Sequence, residues 1–135
     1  MLLAAVTAAT GVHYVALQGL VRLFDRFDHA FLRIYLVTMF CLLAHAVEIC
    51  CFALGYALLN LMPGAGSIGA EGQTDWLKCL YFSAQTFSAA GYGDIVAHGP
   101  QRSRSAGESR AGLLLLGCSS TFSMRVRQGV ELLRS

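Results

Sequence analysis

Two long apolar runs dominate the first half of the chain. Residues 2–21 contain His13 and Gln18 as their only strongly polar members. Residues 31–62 end at Pro63 and a group of glycines, which stop a helix. About 20 apolar residues in a helix cross a bilayer core about 30 Å thick. The pattern therefore predicts two membrane-spanning helices.

The second half of the chain predicts shorter elements. Residues 75–88 start at Asp75, a common helix N-cap type, and give about half a bilayer thickness of helix before the first glycine. Such a segment must enter the membrane and return. The apolar run 111–124 is too short to span by itself, so we expect the last helix over about residues 105–125.

The connectors are polar enough to lie at membrane surfaces. Residues 22–33 mix aromatic side chains with arginines and aspartates, which predicts an interfacial turn or a short amphipathic helix. The predicted organisation is thus an N-terminal helix and connector over 1–30, a larger segment over 31–125 and a tail over 126–135. Within the larger segment, a long helix covers 31–62 and the short helix 75–88.

Composition supports a membrane class and excludes several functions. Apolar residues make up 56% of the 135 residues and charged residues 13%, with a net charge of +2. That charge is too small to indicate a nucleic-acid partner. The sequence has no CxxC pair, no nucleophile beside a base and no phosphate-binding loop, so we expect neither an enzyme nor a cofactor.

The most informative stretch is "TFSAAGYGDI", which follows the short helix. Non-helical backbone at membrane depth must be buried in protein or line water. Gly91 and Gly93 reach positive φ without strain, so successive carbonyls can face one pore axis. The stretch resembles the pore region of potassium channels, whose TVGYG filter coordinates K⁺ through backbone carbonyls. Together with "HAVEI" and "LLLLGCSSTF", it is similar to small bacterial two-span channels with an extra N-terminal helix.

The resemblance implies an all-α membrane protein with a two-transmembrane pore-loop fold, an additional N-terminal transmembrane helix and a tetrameric assembly. It makes residues 31–125 a pore domain with 31–62 as its outer helix, and residues 126–135 a cytoplasmic tail. It implies K⁺ binding at a filter over 89–94, with support from the short helix and a cavity lined by the last helix. The filter residues are Ala89, Ala90, Gly91, Tyr92 and Gly93. Asp94 is expected to bond to Tyr81 or Gln85, and the other support residues are Thr86 and Ser88. The cavity and inner-helix residues are Gly112, Gly117, Ser119, Ser120 and Thr121, with a bend or close packing at the two glycines.

Two departures from the filter pattern leave selectivity open. The family has Thr-Val before Gly-Tyr-Gly, whereas this chain has Ala89 and Ala90. The loss of the threonine hydroxyl removes one ring of oxygen ligands. We therefore predict a potassium-selective channel, with a weakly selective cation channel or a non-conducting membrane subunit as alternatives.

His45 and Glu48 lie inside the second apolar run, three residues apart and hence on one helix face. Ionisable groups at such depth face protein or water. One interpretation is a hydrogen-bonded pair that locks the helix against a neighbour, and the other is a role in gating or proton sensing. The expected partners of the chain are K⁺, the lipid bilayer and three further copies, in the plasma membrane as a multi-pass protein. The gating stimulus is not readable from the sequence.

Overall fold

Four helices and one small β-ladder make up the described chain. The computed structural model describes residues 2–24, 30–69 and 75–132. In chain order the elements are α1 (Leu2–Phe24), α2 (Ala30–Asn60), β1 (Ser67–Ile68), α3 (Trp76–Phe87), β2 (Ala97–His98) and α4 (Gln101–Leu132).

The first two helices have the length and apolar composition needed to cross a membrane, over Leu3–Arg22 and Phe31–Asn60. α2 ends at Asn60, just before Pro63, as the glycine-rich segment dictates. Of the predicted interfacial connector over 22–33, residues 22–24 belong to α1 and residues 30–33 to α2, whereas residues 25–29 lie outside the described residues. The last residues of the predicted tail, 133–135, also lie outside them.

α4 is longer than the predicted inner helix of about residues 105–125. It begins at Gln101 and continues to Leu132, through most of the segment predicted as a tail. The polar residues at its start are accommodated because they recur at helical spacing and are buried. Gln101, Arg104 and Glu108 occupy the same face as Leu115 further along. The polar segment that precedes the last apolar run is therefore the first part of α4.

A two-residue antiparallel ladder joins the segments that flank α3. Ser67 pairs with His98 and Ile68 with Ala97, so the chain after α2 is tied to the chain before α4. Gly66 has a φ of +89°, and a side chain there would overlap the His98 carbonyl oxygen. The ladder closes the region around α3 on one side and limits how far its two connections can move.

The core lies where α2, α3 and α4 meet. Phe52 and Tyr56 of α2 pack with Phe82 and Phe87 of α3 and with Leu115 of α4. The Tyr56 and Phe82 rings meet edge to face with centroids 5.2 Å apart. A second cluster of Leu20, Val37 and Cys41 joins α1 to α2. α3 is thus held in the core by the helices on both sides of it in the sequence.

Candidate functional site

The candidate site begins where α3 ends. Asp75 caps its N-terminus by accepting from the Leu77 N–H, and the helix stops at Phe87 with Ser88 as the C-cap. The next residue, Ala89, has a φ of +56° and its N–H donates to the Thr86 carbonyl over 3.0 Å. A left-handed residue is a common way to end a helix, although glycine usually occupies it. Alanine there costs about 1–2 kcal/mol of backbone strain.

The two glycines of the segment supply the other left-handed positions. We call residues 88–95 the Gly-Tyr-Gly loop. Gly91 has a φ of +54° and Gly93 a φ of +79°. A Cβ at either position would meet no atom of the described chain within 4 Å, so conformation rather than space requires glycine here.

Gln85 of α3 ties the loop to the helix at three points. Its side-chain oxygen accepts from the Tyr92 N–H over 3.0 Å, and its amide nitrogen donates to the Ile95 carbonyl over 3.4 Å. Its own carbonyl accepts from the Gly91 N–H over 3.2 Å. Gln85 was predicted as one of two candidate partners of Asp94, and the structure instead places it against the loop backbone.

Asp94 bonds to the other candidate, Tyr81. The Tyr81 hydroxyl donates to a carboxylate oxygen of Asp94 over 2.9 Å. This hydrogen bond to a carboxylate raises the pKa of the Tyr81 phenol above its usual value. The Tyr92 ring lies beside the Tyr81 ring with centroids 6.5 Å apart, and it is 73% exposed in the single chain. Hydrogen bonds therefore attach the loop to α3 at its start, middle and end.

We expect Gln85→Leu to loosen the loop. Leucine removes both side-chain hydrogen bonds, and one such bond contributes about 1 kcal/mol, a factor of about five in local opening. Because two such bonds are lost, hydrogen–deuterium exchange of a peptide covering residues 88–95 should become at least about five-fold faster. Thr86→Val is the matched control, because the contact of Thr86 with the loop is made by its backbone carbonyl. Equal exchange in the two variants would contradict a role for the Gln85 side chain.

Comparison with known proteins then decides the family. A family model described as "Ion channel" matches residues 41–126, which is 86 of the 135 residues. The chain belongs to the ion channel family. No curated protein and no solved structure matches it significantly. The matched part of this ion channel includes all of α3 and the Gly-Tyr-Gly loop, with the flanking parts of α2 and α4, as in two-transmembrane pore-loop channels. Membership points to a membrane protein that moves ions rather than an enzyme.

The inner-helix residues of the channel separate into two groups. Ser119 was predicted to line a cavity, and within the single chain it belongs to the buried group. Its side chain is buried against α2, with its oxygen 3.0 Å from Nε2 of His45. Ser120 and Thr121 are exposed, and the Thr121 hydroxyl donates to the Gly117 carbonyl of its own helix. Of the three predicted hydroxyl residues, Ser120 and Thr121 are thus the two that can face a shared space.

The two candidate hinge glycines of the channel also differ. A Cβ at Gly112 would overlap the Phe87 carbonyl oxygen, so α4 touches the end of α3 there. Gly117 has no atom of the described chain within 4 Å of a Cβ. α4 runs through both positions as one helix. Of the two alternatives for Gly112, the structure shows close packing.

A polar cluster behind the loop was missed by the sequence analysis. The Tyr56 hydroxyl of α2 donates to Glu108 of α4, and the Ser83 hydroxyl of α3 lies 2.5 Å from the other Glu108 carboxylate oxygen. Ser83 also lies 2.9 Å from the Ile49 carbonyl, and the Arg104 guanidinium stands over the Tyr56 ring at 5.4 Å. All three helices around the core are therefore joined through one buried carboxylate. The only sequence signal was the helical spacing of Gln101, Arg104 and Glu108.

His45 and Glu48 of the channel do lie within hydrogen-bonding distance, 2.9 Å between Nδ1 and Oε2. The predicted pair has a third member, His13 of α1, whose Nδ1 lies 2.8 Å from the other carboxylate oxygen. His13 was noted in the sequence only as a polar interruption. Its partner lies 35 positions away, a separation at which helix periodicity carries no information. The pair thus links α1 to α2 and, through Ser119, to α4.

Proposed function

We propose that the chain forms a passive potassium channel in which four copies surround one axis. The backbone carbonyls of residues 89–93 bind the permeating K⁺. The observation that carries the proposal is the Gly-Tyr-Gly loop, tied to α3 by Gln85 and by the bond between Tyr81 and Asp94. Rings of carbonyl oxygens replace the hydration shell of a cation, and the ion passes from one ring to the next.

The exposure of the loop supports an assembly of several copies. Residues 88–94 are all exposed in the single chain. Backbone groups at membrane depth need protein or water around them, because an unpaired group in hydrocarbon costs several kcal/mol. A groove of about 650 Å³ beside the loop, bounded by Thr86 of α3 and Ala106 of α4, offers a surface to a neighbouring copy. Four chains in a ring would supply this cover and the remaining carbonyls.

The direction of α3 favours a cation near the start of the loop. The helix ends at Phe87, immediately before the loop. The C-terminal end of a helix carries a partial negative charge of about half an elementary charge. Four such ends around one axis would stabilise a cation in the space below the carbonyl rings.

A weakly selective cation pore is the second candidate, and Ala89 favours it. Alanine at residue 89 gives the innermost ring no hydroxyl ligand, and its φ of +56° lies in the left-handed region. A threonine would be strained in that region because it is β-branched. The backbone conformation at residue 89 therefore disfavours the threonine whose hydroxyl would serve as a ligand. With fewer ligands at this ring, discrimination between K⁺ and Na⁺ would be weaker.

Flux measurements on proteoliposomes test both candidates. We expect K⁺ flux from the wild-type protein, a Gly91→Ala variant reduced about ten-fold or more, and a Gly117→Ala variant close to wild type. Alanine in the left-handed region costs about 1–2 kcal/mol per copy, and four copies share the axis. Gly117 receives the same methyl group within a regular helix, where nothing lies within 4 Å.

The reversal potential under opposed K⁺ and Na⁺ gradients separates the selective from the weakly selective pore. Cross-linking of the same preparation should reach a limit of four subunits. A preparation that is tetrameric but shows no ion flux would instead identify a non-conducting membrane subunit. Equal fluxes for wild type and Gly91→Ala would contradict a carbonyl filter at this loop.

A further inference from the structure

We propose that His13, His45 and Glu48 form a binding site for a divalent transition metal of the zinc type. The three side chains come from two helices, α1 and α2. They are the only group of three or more potential metal ligands among the described residues, and each offers one ligand atom within 4.8 Å of the others. The site lies outside the Gly-Tyr-Gly loop and does not depend on its function.

The geometry of the group converges on one carboxylate. Nδ1 of His13 lies 2.8 Å from Oε1 of Glu48, and Nδ1 of His45 lies 2.9 Å from Oε2. The two rings stack with centroids 5.4 Å apart and an angle of 28° between their planes. The same nitrogen of each ring therefore faces the same acid, and small side-chain rotations would bring all three around one ion.

Burial makes the group unusual for a simple ion pair. Glu48 is fully buried, and His13 and His45 are 4% and 8% exposed. All three lie near the middle of helices that have the length to cross a membrane. Groups at such depth are costly unless they pair with one another or serve a function. Two imidazoles for one carboxylate exceed what is needed for one hydrogen-bonded pair.

The ligand types select the metal class. Two imidazole nitrogens and one carboxylate are a common protein ligand set for zinc, with a fourth position left for water or another small ligand. Imidazole suits zinc, copper, iron and nickel, whereas magnesium and calcium prefer all-oxygen sites. Metal binding at Nδ1 requires that nitrogen to be free of its proton, which then resides on Nε2.

Ser119 of α4 fits the role of an outer-shell partner. Its oxygen lies 3.0 Å from Nε2 of His45, the nitrogen that would carry the proton in the metal-bound state. A hydroxyl can accept that hydrogen bond as well as donate one. Such partners orient the ligand ring, and their loss lowers metal affinity about 10–100-fold. Through Ser119 the metal would link α1, α2 and α4.

The test uses the full chain, purified without a histidine tag, stripped with a chelator and returned to lipid nanodiscs. Titration with Co²⁺ or Zn²⁺ should give one metal per chain by mass spectrometry. The Co²⁺ complex should show visible d–d absorption and no thiolate charge-transfer band. Glu48→Gln should lower affinity at least ten-fold and Ser119→Ala about 10–100-fold. His98→Ala is the control, because His98 is exposed on β2 and should leave binding unchanged.

Three results would overturn the site. Wild-type protein that binds no stoichiometric Co²⁺ or Zn²⁺ would mean that the three side chains are held together by hydrogen bonds without a metal. This result does not depend on the folding of any variant. A thiolate band would place the metal on cysteine instead. Unchanged affinity in Glu48→Gln, with His98→Ala also unchanged, would place it elsewhere in the chain.

Discussion

Gly112→Ala is expected to push α4 away from the end of α3 and to destabilise each chain by about 1–3 kcal/mol. A methyl group there would overlap the Phe87 carbonyl oxygen and lie 2.8 Å from the carbonyl carbon. The obstructing atoms are backbone, so a side-chain rotation cannot relieve the overlap. Because Phe87 is the last residue of α3, the displacement would pass directly into the Gly-Tyr-Gly loop.

The measurement for Gly112→Ala is the temperature at which half the protein is lost from its chromatographic peak in mild detergent. Gly117→Ala is the matched control on the same helix, with no atom of the described chain within 4 Å of the new methyl group. Its midpoint should equal or slightly exceed that of wild type, because alanine favours helix over glycine. Equal midpoints for the two variants would mean that α4 does not rest on α3 at this point.

Glu108→Ala is expected to disconnect the polar cluster behind the loop. The Tyr56 hydroxyl would lose the partner to which it donates, and Ser83 would keep only the Ile49 carbonyl. A buried hydroxyl without a partner costs about 1–3 kcal/mol, and the space left by the carboxylate adds to this. The same thermal measurement should show a clear loss, and the ion flux proposed above should fall because α3 loses this hydrogen-bonded connection to α4.

Glu108→Gln separates the effect of the hydrogen bonds from the effect of the negative charge of Glu108. The glutamine carbonyl can still accept from Tyr56, and its amide can donate to Ser83 while the Ser83 hydroxyl turns to Ile49. We therefore expect less than half of the loss seen with alanine. A loss as large as that of Glu108→Ala would show that the negative charge beside Arg104 matters more than the hydrogen bonds.

Helices were predicted well from the sequence where hydropathy alone determined their extent. Residues 31–62 form a long and mainly apolar run, and α2 occupies Ala30–Asn60. α4 was harder because its start is polar. Gln101, Arg104 and Glu108 are buried by neighbours far away in sequence, such as Asn60 and Tyr56. A hydropathy pattern treats such residues as surface, whereas their spacing of three and four residues was the informative feature.

The candidate site was predictable to the extent that it is local. The bond between Tyr81 and Asp94 spans 13 positions within one helix-loop unit, and the resemblance included it. The contact of Ser119 with His45 was not predicted, because the two residues lie 74 positions apart. His13 was overlooked for the same reason. A polar residue in an apolar helix signals that a partner exists, but only the packing of the helices identifies it.

The tie between α1 and Glu48 limits how the conducting region can be transplanted into chimeras. A graft confined to residues 41–126 would leave this acid with one imidazole instead of two, and the carboxylate oxygen that faced His13 would lose its partner. An unrelated first helix would need a histidine or amide at the level of residue 13. A chimera that is to keep both partners of Glu48 should therefore include α1 of this chain.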